Sequence, residues 1–242
     1  MRESRQISYV LHTRAYRETS LLVELFTLTH GRVSAVAKGV RKARSRMQVL
    51  PFVRCETAWS GKTQLKTLTE VDAMKYHQLL GNALLSGLYL NELLMRMLQP
   101  FDPHAYLFEG YQLALDGLAS GGTKSDLEIC LREFEKLLLK ESGYEVIFDH
   151  VAGDATAIEP QSLYTFSPVE GFSQTGSSAD PGSVSQGDTS AVYTGSVLLS
   201  IAKSDYADKK VRNAAKRIMR SALRSHIGNK PLMSRALFVP EE

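Results

Sequence analysis

The hydrophobic period changes once along this chain, near residue 77, and that change limits the fold more than any other feature. Before it, short apolar runs are cut by turn residues. After it, apolar residues recur at intervals of three and four. Ile7, Tyr9 and Leu11 alternate with Ser8, Val10 and His12, the period-two pattern of a half-buried strand. Residues 20–27 read as a second strand. His30 and Gly31 turn the chain into a third, in which Val33, Ala35 and Ala37 alternate with Arg32, Ser34 and Val36. Residues 51–59 and 64–74 are the fourth and fifth, separated by Ser60, Gly61 and Lys62. Five strands in so short a stretch predict an OB-fold barrel, because closure removes the exposed edges of a flat sheet. From Leu79 to Leu98 the spacing of Leu80, Leu84, Leu88, Leu90, Leu93, Leu94 and Met97 predicts a long amphipathic helix, ended by Pro100 and Pro103. The expected class is α+β, with a five-stranded OB-fold β-barrel over residues 1–77 and a mainly helical domain over 78–242.

Further along, a second helix is expected over residues 104–118, stopped by Gly121 and Gly122. A third runs from Ser125 to Lys140, opened by a Ser125/Glu128 capping box and closed at Gly143. Residues 145–173 read as a short, irregular β excursion. Residues 173–190 are dominated by Ser, Gly, Asp and Thr, too polar to pack, and predict a mobile loop. Structure resumes at 196–203, and residues 207–227 form the last helix, its buried stripe supplied by Val211, Ala215, Ile218 and Leu223. The chain has enough apolar content, 43% of 242 residues, to bury real cores without staples.

The charge balance is mildly basic, 29 Lys and Arg against 26 Asp and Glu, and its distribution says more than its total. Around Gly39, which breaks the third strand, Lys38, Arg41, Lys42, Arg44 and Arg46 gather with no acid among them. Such a run repels itself and belongs in water, either as a solvated basic loop or as a phosphate-binding one. The last helix carries Lys209, Lys210, Arg212, Lys216, Arg217, Arg220 and Arg224, a second candidate surface for a polyanion. In the third helix Arg132, Lys136 and Lys140 recur every four residues beside Leu131, Phe134, Leu138 and Leu139. That stripe suits a short acidic peptide with a hydrophobic end. It equally suits a solvated face paired locally with Glu128, Glu133 and Glu135.

Catalytic patterns are scarce. There is no G-x-S-x-G, no Walker A and no pair of histidines at helical metal-ligand spacing. Asp149, His150 and Asp154 come nearest to a metal cluster for phosphodiester hydrolysis, and otherwise read as surface residues. Two cysteines, Cys55 and Cys130, can build neither a disulfide framework nor a four-cysteine zinc site, so reduced thiols are expected. The amino terminus lacks a signal-peptide apolar run. The long apolar helix is interrupted by Asn82, Asn91, Glu92 and Arg96, which predicts a cytoplasmic protein with no membrane span.

Five blocks carry a resemblance: VLHTRAYRETSLLVELFT, GRVSAVAKGVRK, GLYLNELLMRML, FEKLLLKESGYEV and AAKRIMRSALRSHIGNKPLMSRALF. Their order and spacing are similar to the bacterial RecO family of DNA repair proteins, across nearly the whole chain. The resemblance implies an OB-fold followed by a helical domain. It also implies a non-enzymatic recombination mediator that binds single- and double-stranded DNA, anneals complementary strands, and acts with RecR and RecF to load RecA onto DNA coated by SSB. It places Lys38, Arg41, Lys42, Arg44 and Arg46 on a DNA-facing loop, with Arg14 and Arg17 as helpers, and extends the DNA surface to Lys209, Lys210, Lys216, Arg217 and Arg220. It assigns the Arg132, Lys136 and Lys140 stripe to the acidic, phenylalanine-ended tail of SSB, and it implies a nucleoid-associated location.

One departure from the family pattern concerns zinc. Many members hold it on four cysteines in the β excursion, and residues 149–172 contain none, so no metal or other cofactor is expected. Ile147, Phe148, Leu163, Phe166 and Phe172 are expected to hold that segment instead. Among Tyr9, Tyr16, Phe26, Phe52 and Trp59 there is room for a base-stacking residue, though most should be core. An RNA-binding OB protein and a metal-dependent nuclease are the competing readings.

Overall fold

A computed structural model describes residues 2–41, 47–153, 156–175, 191–228 and 230–236. The expected loop over 173–190 therefore lies almost wholly outside the described residues, as do Lys42, Arg44, Arg46 and Asp154. By packing, the chain divides into two compact units, Met1–Leu127 with Pro231–Glu242, and Glu128–Lys230.

The first unit is built on five strands: β1 (Arg2–Tyr16), β2 (Ser20–Thr27), β3 (Gly31–Ala37), β4 (Val53–Ser60) and β5 (Lys66–Tyr76). They close into a barrel in the order β1-β2-β3-β5-β4. The β3–β5 pair is parallel and the others antiparallel. This is the OB-type barrel that the strand signals predict. Val10, Val23, Leu25, Val33, Ala35, Ala37, Cys55, Trp59 and Leu68 fill its interior.

The first strand departs from simple alternation. Tyr9, Val10 and Leu11 are all buried, although the period-two reading sends Val10 outward. Helices α1 (Gly81–Met97) and α2 (Ala105–Ala119) explain the difference, because they cover the outer face of β1. Tyr9 leaves the barrel interior to Val10 and meets Phe108 and Tyr111 of α2 at ring-centroid distances of 5.3 and 5.0 Å. A register shift between Val10 and His12 takes Leu11 out of the β1–β2 ladder. Its carbonyl accepts instead from Asn91 Nδ2 of α1 at 2.8 Å, and Tyr111 donates to Asn91 Oδ1. A bulge that would bury an unmet carbonyl is thus satisfied by one helix and locked by the next.

Gly31, at the start of β3, has φ +62°, and a Cβ there would lie 1.9 Å from the carbonyl oxygen of Asp102. That close approach lets Phe101 N donate to Arg32 O at 3.0 Å, pinning residues 98–102 to the barrel.

The second unit contains most of α3 (Lys124–Glu141), a small sheet of β6 (Leu163–Ser167), β7 (Gly171–Gln174) and β8 (Val192–Thr194) in the order β7-β6-β8, then α4 (Gly195–Ala202) and α5 (Lys209–Ile227). The β excursion therefore recruits its third strand from beyond the polar loop. Phe148, Ile158, Tyr164 and Phe172 are its buried residues, and Phe172 lies 5.5 Å from Phe148 and 5.0 Å from Phe166 between ring centroids. Ile147 does not hold this segment, since 58% of its surface is exposed. The α3 cap lies two residues earlier than the sequence suggests. Thr123 and Asp126 exchange the capping bonds, Thr123 N to Asp126 Oδ2 at 2.8 Å and Asp126 N to Thr123 Oγ1 at 3.3 Å, in place of Ser125 and Glu128. A short helix, α6 (Met233–Ala236), packs on α1 in the first unit. No described helix is long and apolar enough to cross a membrane.

Candidate nucleic-acid interface

Two turns meet at one end of the barrel. The β1–β2 hairpin closes through Arg17, Glu18 and Thr19, with Arg17 in the left-handed region at φ 52°. A bulky residue is strained there by about 1–3 kcal/mol, so the surrounding bonds must hold it. They come from the turn after β3, where Gly39 at φ +70° reverses the chain. Arg41 N donates to Thr19 O at 3.0 Å, and its guanidinium reaches Arg17 O at 3.4 Å. Of the expected cations, Arg41 is therefore fastened to the Arg17 turn.

Beside these turns lies an open cleft of about 900 Å³. Arg17, Lys38 and Lys66 line it together with Tyr16, Gly39 and one carboxylate, Glu18. The sequence reading missed Lys66. It enters because β3 and β5 pair in parallel with Ala35 opposite Lys66, a long-range register that no local pattern announces. Its Nζ sits 5.0 Å from the Phe101 ring centroid and 3.4 Å from Gly61 O. The Arg17 guanidinium lies 5.3 Å from the Tyr16 ring centroid, within cation–π reach. Arg14 is exposed on β1, outside the cleft lining. Of the barrel aromatics weighed as stacking candidates, Tyr9, Phe26, Phe52 and Trp59 are buried, and Tyr16 alone is half-buried.

In the second unit, α5 contains no acidic residue. Lys209, Lys210, Arg217, Arg220 and Arg224 are exposed, and the spacing of Lys210, Arg217, Arg220 and Arg224 aligns them along one face. Lys216 is half-buried, its Nζ 3.4 Å from Glu128 Oε1. Arg212 turns back to the helix start and donates to Tyr206 O and Ala207 O, both at 2.7 Å. The opposite face buries Val211, Ala215, Ile218 and Leu223 as the spacing predicts, with Ala214, Met219 and Ala222 added.

The α3 stripe needs correction at Arg132. Its side chain is 7% exposed, and its guanidinium is held 2.6 Å from Glu135 Oε1, a carboxylate with no exposed surface. A partner's carboxylate reaches it only by opening that pair. Lys136 is drawn to the end of α4, donating to Ile201 O at 3.0 Å and Ser204 Oγ at 3.1 Å. Lys140 alone of the three is well exposed, with Glu145 at 3.5 Å. Glu145 in turn lies on the rim of a second cleft of about 900 Å³, whose walls include Tyr144, Ile147, Phe166, Val169 and His226. Tyr144 stacks on His226 at 3.7 Å, and burial lowers the pKa of that histidine. The exposure of Ile147 and Val169, at 58% and 91%, marks the apolar rim of this cleft.

Asp149 and His150 are side by side at 2.9 Å, both close to half exposed. Among the described residues no group of three or more His, Cys, Asp or Glu is arranged to hold a metal ion. Burial pushes the Cys55 thiol up to about 12 and Cys130 up to about 11, so both are poor nucleophiles at neutral pH.

Two family models together match most of the chain, Recombination protein O N terminal over residues 1–77 and Recombination protein O C terminal over residues 80–236. Among curated proteins, the DNA repair protein RecO of Cellvibrio japonicus is 40% identical over 243 residues, covering 99% of this chain and 98% of its own. The one from Pseudomonas aeruginosa strain LESB58 is 42% identical over 235 residues, covering 97% and 94%. That of Pasteurella multocida is 40% identical over 239 residues, covering 98% and 95%.

Proposed function

The chain belongs to the RecO family of DNA repair proteins, and from that premise we propose that it is a recombination mediator that binds single- and double-stranded DNA and anneals complementary strands. The observation that carries this reading is the cleft at the barrel end, where Arg17, Lys38 and Lys66 converge against a single carboxylate. A cluster of that sign attracts phosphates and makes few demands on base identity. In this account residues 1–77 take one strand along the cleft, with Arg14, Arg41 and the Lys42, Arg44 and Arg46 run extending the contact. The helical domain, residues 78–242, takes phosphates along α5 through Lys209, Lys210, Lys216, Arg217 and Arg220. Annealing then needs charge neutralisation and proximity and no nucleophile, which fits a protein without an enzymatic role.

With RecR, and within the RecF pathway at the nucleoid, the protein helps load RecA onto SSB-coated DNA. The acidic tail of SSB docks on the second unit. Lys140, supported by Lys136, meets the tail's carboxylates, while the apolar cleft at Tyr144, Ile147 and Val169 receives its aromatic end. Arg132 acts here only by shaping α3.

Fluorescence anisotropy of a labelled single strand across a salt series tests the electrostatic core of this reading. If Arg17, Lys38 and Lys66 each neutralise one phosphate, their contribution to the log–log slope is about −2. Salt-independent affinity contradicts the reading. Tighter binding to RNA of matched length favours an RNA-binding role, and magnesium- or manganese-dependent degradation abolished by Asp149→Ala favours a nuclease.

A further inference from the structure

The cations of the barrel cleft do not by themselves distinguish a single strand from a duplex, since both present phosphates. One uncharged feature of the same cleft does. Tyr16 lies in its wall, half-buried, at the last position of β1, paired with Ser20 across the hairpin. The other four barrel aromatics considered above are each less than 7% exposed and unavailable to a ligand. Arg17 holds its guanidinium 5.3 Å from the Tyr16 ring centroid, and the left-handed backbone at Arg17 keeps that pair at the cleft lip. Lys66 lines the same cleft from β5, its Nζ resting 5.0 Å from the Phe101 ring centroid and 3.4 Å from Gly61 O, a weak tether that a phosphate can replace. An aromatic ring flanked by cations is the arrangement that receives an unpaired base between its phosphates. In a duplex every base face is already stacked, so the ring has nothing to receive.

We propose that Tyr16 is the base-stacking residue of this cleft and Lys66 its inner phosphate contact, so that the site selects unpaired nucleic acid over a duplex of equal charge. The proposal rests on the nucleic-acid reading of the cleft and adds the residue that sets its strand preference. The hydroxyl plays no part in stacking, so Phe substitutes for Tyr16. Leu keeps the bulk and loses the flat π face. Lys66 acts on every strand alike, because a phosphate is common to all of them.

Three labelled probes of one length separate the terms: a single-stranded oligonucleotide, the same backbone carrying abasic residues, and a duplex. Wild type is expected to bind the single strand about tenfold or more tighter than the abasic strand. Tyr16→Leu is expected to bring the single strand down to the abasic level while leaving abasic and duplex affinities unchanged, which also shows that the variant is folded. Tyr16→Phe keeps the wild-type preference. Lys66→Gln weakens all three probes and reduces the single-strand salt slope by about 0.7. If wild type binds all three probes and Tyr16→Leu keeps the full preference for the base-bearing strand, the stacking assignment is overturned and the cation cleft stands. If wild type binds none of them, the cleft is not a nucleic-acid site and both readings fall.

Discussion

At Arg132 and Glu135 two opposite charges share a place almost closed to water, 7% and 0% exposed, with 2.6 Å between them. Removing one partner from such a pair leaves the other buried and uncompensated, which costs about 3–5 kcal/mol, whereas replacing both with apolar groups of similar size is close to neutral. Arg132→Met is therefore expected to lower the stability of the second unit strongly, and Arg132→Met with Glu135→Met to recover most of it. Urea unfolding followed by circular dichroism measures both. Equal losses in the single and double variants would show that the pair carries no such coupling. The same residue shows where reading the sequence stops. Charge and four-residue spacing place Arg132, Lys136 and Lys140 on one helix face, and they do lie on one helix. Spacing does not say what packs opposite. The buried Glu135 beside Phe134 and Leu138 draws Arg132 inward, and the end of α4 draws in Lys136. Lys66 is the converse case, invisible as a site residue until β3 finds β5.

Among the elements, α6 shows how a four-residue helix is kept in place. Glu92 of α1 accepts from Ser234 N at 2.9 Å, Ser234 Oγ at 2.7 Å, Met233 N at 3.0 Å and Arg96 at 2.6 Å. Burial alone would raise the pKa of this carboxyl, but the bonds from Ser234 and Met233 and the nearby Arg96 charge together hold it below the usual range. A folded-state pKa below the unfolded one contributes stability that is complete above the unfolded value and is lost as pH falls through the folded one. The melting temperature of wild type is expected to exceed that of Glu92→Gln by a constant margin above roughly pH 5, and the margin is expected to shrink as pH falls below about 4. A margin unchanged from pH 7 to pH 3 would contradict the assignment. Elements with a strong local period were legible in advance. The barrel strands, the existence of the long α1 and the apolar stripe of α5 follow from spacing, although the first turns of α1 leave Leu80 and Leu84 exposed and its burial begins at Ser86. What spacing mistook was Val10, since covering both faces of β1 with barrel and helices removes the alternation that a half-buried strand would keep. The cap of α3 was mistaken for a related reason. Thr123 with Asp126 and Ser125 with Glu128 both fit the capping pattern, and the backbone geometry chose the first.

For the molecule as a whole, the net charge of +3 is modest, and the proposed function rests on where the cations are concentrated. One set converges on a cleft of the barrel and another lines α5, with no acid on that helix. In the proposed annealing role the phosphates of two strands are neutralised at both surfaces, and damage to either is then expected to slow annealing even where binding of a single strand survives. The most direct test is the annealing rate of two complementary oligonucleotides, naked and coated with SSB, for wild type, Arg17→Glu/Lys38→Glu and Lys140→Glu. The account predicts that wild type accelerates both reactions, that the barrel variant fails on naked and coated strands alike, and that Lys140→Glu fails only on coated strands. A wild-type protein that accelerates neither reaction, or variants that match it throughout, would contradict the central claim.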